Sequence, residues 1–171
     1  MHYTENRLWS FYTNEEAALL GGGEIMLRDR GEGDLSLLPA ERGAFRARFD
    51  DTVTANVLYR FAHELHIGDY VLLRTTHGAP VELGRVSGGY AYAAGEHRRS
   101  VRWLRRLQSD EISSGAMREI TYASASPLFE VKRYANEFFA RLGLSIQSAP
   151  QGSTAAERFA ARWSIRREKT A

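Results

Sequence analysis

The chain has 171 residues, 43% of them hydrophobic and 11% aromatic, enough for one domain with a sizeable core. It has no cysteine, which excludes disulfides, thiolate metal sites and cysteine nucleophiles and suits a cytoplasmic protein. The formal net charge is only +2, yet all 23 basic residues except Lys132 and Lys169 are arginine, and Arg98, Arg99, Arg102, Arg105 and Arg106 lie close together.

Arginine's planar fork grips phosphates and guanine edges and stacks on bases. A general arginine excess reflects codon usage, whereas a cluster points to an anionic partner. No apolar run approaches the ~20 residues of a membrane span. The start, MHYTENRLWSFY, lacks the basic and apolar regions of a signal peptide.

In chain order, Arg7–Tyr12 reads as a first strand and Asn14 as the cap of a short helix over Glu15–Leu20. Three glycines end that helix, and Glu24–Arg28 reads as a second strand followed by a polar loop over Asp29–Leu35. Pro39 opens a helix to about Phe49, and Asp50 or Asp51 caps the next, which runs through Val53, Val57, Leu58 and Phe61 to Leu65. Tyr70–Arg74 and Val81–Val86 then read as strands joined by a turn over Thr76–Pro80. Gly88-Gly89 marks a bulge, after which Tyr90 and Tyr92 share a face, and Arg98–Leu104 alternates as a further strand. A short helix follows from Asp110, and the spacing of Leu128, Val131, Ala135, Phe138 and Leu142 predicts the longest helix, opened by Ser126-Pro127 and stopped by Gly143. Gln147–Ser153 reads as a linker, and Thr154 with Glu157 has capping-box spacing for a final basic helix. The expected division is a domain over residues 1–145, then a linker and short basic helix over 146–171.

The order of Ile67-Gly68-Asp69-Tyr70-Val71, then Gly84-Arg85-Val86 with Tyr90 and Tyr92, then His97-Arg98-Arg99 with Val101 and Trp103 resembles the PUA-like (EVE-type) module. That module stands at the N-terminus of Mrr-type and related modification-dependent restriction endonucleases. The likeness runs from about Leu8 to Leu142. It implies an α+β fold: a small, curved mixed sheet or partial β-barrel with flanking helices. It also implies a bacterial DNA-binding module that reads a modified base, foremost a modified cytosine such as 5-methylcytosine, by flipping it into an aromatic pocket.

By this likeness the nucleic-acid-binding residues are Trp9, Ser10, Tyr12, Arg30, Tyr90, Tyr92, His97, Arg98 and Arg99. Trp9 matches the tryptophan of the family's first strand. Ser10 is placed to hydrogen-bond the base, and Arg98 and Arg99 to contact phosphates. The implied partners are double-stranded DNA carrying a modified base and a fused or separate nuclease domain of Mrr or HNH type. RNA is the alternative partner. The family often has Gly-Trp where this chain has Asp29-Arg30, and a tryptophan near Thr54.

Catalytic chemistry finds little footing. His63 and His66 stand three apart with Glu64 between, too few ligands for a metal site. Asp69 with Glu82 suggests the carboxylates of a metal-dependent nuclease, the third alternative, but Leu83-Gly84-Arg85 replaces the lysine such a site needs. No serine lies in a nucleophile elbow, and Gly21-Gly22-Gly23 lacks the lysine of a phosphate loop. The expectation is a non-enzymatic, cytoplasmic protein with no metal and no cofactor.

Overall fold

The computed structural model describes residues 3–4, 6–12, 23–74, 81–111, 115, 118–119, 126–144 and 149–150. Its strands are β1 (Tyr3–Thr4), β2 (Leu8–Tyr12), β3 (Glu24–Arg28), β4 (Tyr70–Arg74), β5 (Val81–Ala93), β6 (Glu96–Leu107), β7 (Leu128–Glu130) and β8 (Ala149–Pro150). The helices that lie wholly within the described residues include α1 (Arg42–Arg46), α2 (Thr52–Tyr59) and α3 (Ala135–Arg141). Six strands form one open mixed sheet in the order β3-β6-β5-β4-β2-β7, an α+β arrangement, while β1 pairs with β8 apart from it. Part of the expected linker thus pairs with the N-terminal residues.

The core follows from alternation on the central strands. Leu8, Tyr70 and Leu72 face one side of the sheet, where Phe138 and Phe139 of α3 cover them. Trp9, Phe11, Val71 and Leu73 face the other, under Val57, Phe61 and Leu65. β2 and β4 run parallel, with Leu8 opposite Tyr70 and Tyr12 opposite Arg74. Buried on both faces, they read as continuous apolar runs.

Asp51 caps α2 by accepting from the backbone N–H of Val53 (3.1 Å) and Thr54 (3.0 Å). The helix runs on into a π-helical turn, Arg60–Glu64, closed by Leu65 N–H donating to the Arg60 carbonyl at 2.8 Å. The β5–β6 ladder slips register twice, between Leu83 and Gly84 and between Val86 and Tyr90. The second slip falls at the expected Gly88-Gly89 bulge. At the first, a Cβ on residue 84 would stand 2.4 Å from Val101 Cγ1, so only glycine fits.

Two expectations are corrected. Leu128–Glu130 is a strand, not helix: Phe11 faces Leu128 and Ser10 faces Phe129 across an antiparallel pair with β2. The Pro127 carbonyl accepts from Tyr12 N–H at 2.8 Å, and Val131 N–H donates to the Leu8 carbonyl at 2.8 Å. The short segment Leu128-Phe129-Glu130-Val131 fits a strand as well as a helix turn, and the open edge of β2 decides it. The helix begins only at Ala135. The helix expected from Pro39 to Phe49 shrinks to Arg42–Arg46, with Glu41 capping through the N–H groups of Gly43 and Ala44.

The expected helix at Glu15–Leu20, the turn at Thr76–Pro80, most of the short helix after Asp110 and the final basic helix lie outside the described residues. No helix among the described residues is long and apolar enough to cross a membrane.

Candidate functional site

A cleft of about 390 Å³ opens beside β3. Tyr12 at the end of β2, Met26 and Arg28 of β3, Arg30 and Glu32 of the following loop, and the Val53–Leu58 stretch of α2 line it. In the sheet order β3 and β2 stand four strands apart, roughly 19 Å in a flat sheet at about 4.8 Å per strand. That both line one cleft fits a curved sheet, with α2 contributing the lining between them. The volume lies within the range of ligand clefts, about 300–1,000 Å³.

The lining is lopsided in charge. It carries two arginines against a single carboxylate, Glu32. The Arg30 guanidinium is exposed and makes no ion pair among the described residues. Tyr12 presents an aromatic ring, with the Arg74 guanidinium 5.8 Å from its centroid. Arg74 in turn donates from Nε to Ser10 Oγ at 3.2 Å.

The loop wall is built from the hairpin behind it. Asp29 Oδ1 accepts from the N–H groups of Gly31 (2.8 Å) and Gly33 (3.1 Å), and Oδ2 accepts from the Tyr92 hydroxyl at 2.5 Å. Gly31 and Gly33 have positive φ, 114° and 71°, the left-handed region that lets the chain fold around the carboxylate. The Tyr92 hydroxyl and then these two N–H groups hold the Asp29 pKa down at about 2.

His97, wholly buried, bridges Tyr90 Oη through Nδ1 (2.9 Å) and Glu32 Oε1 through Nε2 (2.8 Å). Leu35 N–H donates to Tyr90 Oη at 3.0 Å, and burial pushes the Tyr90 hydroxyl up to about 12. Arg30 N–H donates to Glu32 Oε2 at 3.0 Å. Asp29, Glu32 and His97 bring one ligand-type atom each within 4.8 Å of one another, spacing that suits a divalent ion. In this arrangement their hydrogen-bonding atoms serve the loop.

The residues singled out in the sequence therefore divide into four groups. Tyr12 and Arg30 line the cleft. Tyr90, Tyr92 and His97 come together behind it and position its wall. Trp9 and Ser10 are core: Trp9 is 1% exposed and donates from Nε1 to Asp69 Oδ2 at 2.9 Å, which corrects its placement on a pocket wall. Its ring fills the space under α2 because odd positions of β2 face that helix.

Arg98 and Arg99, the fourth group, point to opposite faces of β6. Arg98 is paired with Glu24 (3.3 Å) and Glu96 (2.8 Å). Arg99 is buried, donates to the Leu65 carbonyl at the end of the π turn, and has its pKa lowered by burial to about 10. It is thus withdrawn from any phosphate. Asp69 and Glu82 do not meet either: Asp69 is spent on Trp9 and two backbone N–H groups, and Glu82 accepts from Arg106 Nε at 2.6 Å.

The family described as Domain of unknown function (DUF8426) matches residues 10–128. The chain belongs to that family. The matched span runs from β2 to the start of β7 and contains every residue named here as lining the cleft. No curated protein and no solved structure matches the chain.

Sequence reasoning missed Met26, Arg28, Glu32, Val53 and Thr54 as cleft residues. The usable signal was Glu32, a carboxylate flanked by two glycines in a loop leaving a strand. Nothing in the local pattern brings α2 against the edge of β3; only the tertiary fold does.

Proposed function

We propose that the chain is a DNA-binding module that takes an extruded, modified base into the cleft beside β3. The cleft itself is the observation that carries this reading. It is large enough for a base, has an aromatic ring at Tyr12, and carries Arg28 and Arg30 where flanking phosphates pass. It also lies between the chain leaving the first strand and the loop after the second, where the resemblance to PUA-like modules puts the base. Tyr90, Tyr92 and His97 serve binding indirectly by fixing the Arg30–Glu32 wall. The module performs no chemistry; a fused or separate nuclease domain supplies it.

The test is binding at fixed salt to matched duplexes carrying cytosine, 5-methylcytosine, 5-hydroxymethylcytosine or N6-methyladenine. One modified duplex is expected to bind at least about tenfold tighter than the unmodified one. Equal affinity for all four overturns the reading, and tighter binding to the matching RNA replaces DNA as the partner. Arg30→Ala is expected to weaken all duplexes alike and to reduce the slope of log affinity against log salt by about 1.

A further inference from the structure

We infer that Glu32 reads the hydrogen-bonding edge of the bound base and selects bases that carry an exocyclic amino group over thymine and uracil. This rests on the reading of the cleft as a base pocket. Among the described residues Glu32 is the only carboxylate in the lining, so it is the one side chain there that accepts hydrogen bonds and never donates when ionised. Its side chain is only 11% exposed and is held at both oxygens, Oε1 by His97 Nε2 at 2.8 Å and Oε2 by Arg30 N–H at 3.0 Å. Each carboxylate oxygen has room for about two donors, so both keep a lone pair for the ligand.

A carboxylate fixed in this way meets an amino group, as on cytosine N4 or adenine N6, with donor against acceptor. Thymine and uracil present a carbonyl at the same place, which sets acceptor against acceptor and leaves the carboxylate lone pair facing the base without a donor. His97 and Tyr90 matter here because they set the carboxylate's position before the base arrives, so little ordering is left to oppose binding.

The experiment places 5-methylcytosine or thymine opposite an abasic site in otherwise identical duplexes. These bases share the methyl group and differ at the amino edge, and the abasic partner removes any difference in pairing strength. The parent protein is expected to prefer 5-methylcytosine by roughly tenfold or more. Glu32→Gln, whose amide carbonyl still accepts from His97 while its NH₂ gives up the Arg30 N–H and faces the carbonyl of thymine, is expected to bring the ratio near one. Glu32→Asp keeps the charge but withdraws it by one methylene and is expected to fall between. It serves as the second variant should the first shift the denaturation midpoint.

A parent ratio below about two overturns the inference, as does a full preference retained in both variants. If the parent binds neither base better than a duplex with no base at that position, the base-pocket reading falls and takes this inference with it. If it binds base-specifically and only the Glu32 variants fail to respond, the pocket stands without Glu32 as its reader.

Discussion

Asp69 and Asp29 each accept three hydrogen bonds, and they hold two different parts of the molecule. Asp69, 4% exposed, ties the start of β2 to the start of β4 through Arg7 N–H (3.1 Å), Trp9 Nε1 (2.9 Å) and His66 N–H (2.9 Å). Asp29 ties the cleft loop to the β5–β6 hairpin through Tyr92 and two glycine N–H groups. Equal donor counts give opposite electrostatics. Burial raises the Asp69 pKa above its ordinary value despite its three donors, while Asp29, near water, is held at about 2. The difference teaches that hydrogen bonds lower a carboxyl pKa only where desolvation does not outweigh them. A buried aspartate is a structural tie kept at an electrostatic cost; a solvated one is a tie that favours its charged form.

Removing each tie sharpens the contrast. Asp69→Ala leaves buried donors without an acceptor, and is expected to lower stability by about 3 kcal/mol. Chemical denaturation at unchanged m-value reads it, and a loss under about 1 kcal/mol would show that water or a neighbour replaces the carboxylate. Trp9→Phe keeps an aromatic side chain but deletes the indole N–H donor and leaves a small cavity, for an expected loss of about 2 kcal/mol. Its DNA affinity is expected to match the parent's; a large drop in affinity at intact fold would return Trp9 to the binding site.

The smallest effect is one of pH. Asp29 has a folded pKa below its ordinary 3.8, so its contribution to stability is complete above about pH 4 and disappears as pH falls toward 2. Asp29→Asn is therefore expected to be less stable than the parent at neutral pH, with the gap closing between about pH 4 and 2. A gap that stays constant over that window breaks the comparison. Asp69, with a raised pKa, works in the opposite sense: its ionisation takes stability away as pH rises through 3.8 and beyond.

Much of the sheet was legible because its signals are local. β2, β3, β4 and the paired halves of the β5–β6 hairpin show apolar runs or alternation, and Asp51 and Gly88-Gly89 announce their own roles. β7 was misread because Leu128 and Val131 satisfy a helical spacing, and only the open edge of β2 turns that segment into a strand. The site was less legible than the sheet. On β2 the difference between a cleft residue and a core residue is one of position along the strand: Trp9 lies inside it against Val57 and Phe61, and Tyr12 is its last residue, where the cleft opens. Arg98 and Arg99 differ likewise: neighbours in the chain, one faces solvent-side glutamates and the other the interior under the π turn. Adjacent like residues in a strand always part in this way, but the sequence does not say which face is wet.

The parallel pairing of β2 with β4 has a consequence for how the cleft can change. β3, the Asp29–Asp34 loop, α1 and α2 all lie in the single crossover between those two strands. Every cleft residue named here except Tyr12 is therefore carried by one connecting segment. Lengthening such a connection costs little, about 0.6 kcal/mol for each doubling in the ideal chain. Gly31 and Gly33 have no atom within 4 Å of where a side chain would start, so the wall has free space at its tip. Ligand preference can thus diversify by insertion and exchange within the crossover while the β2–β4 ladder, and the fold with it, stays as it is.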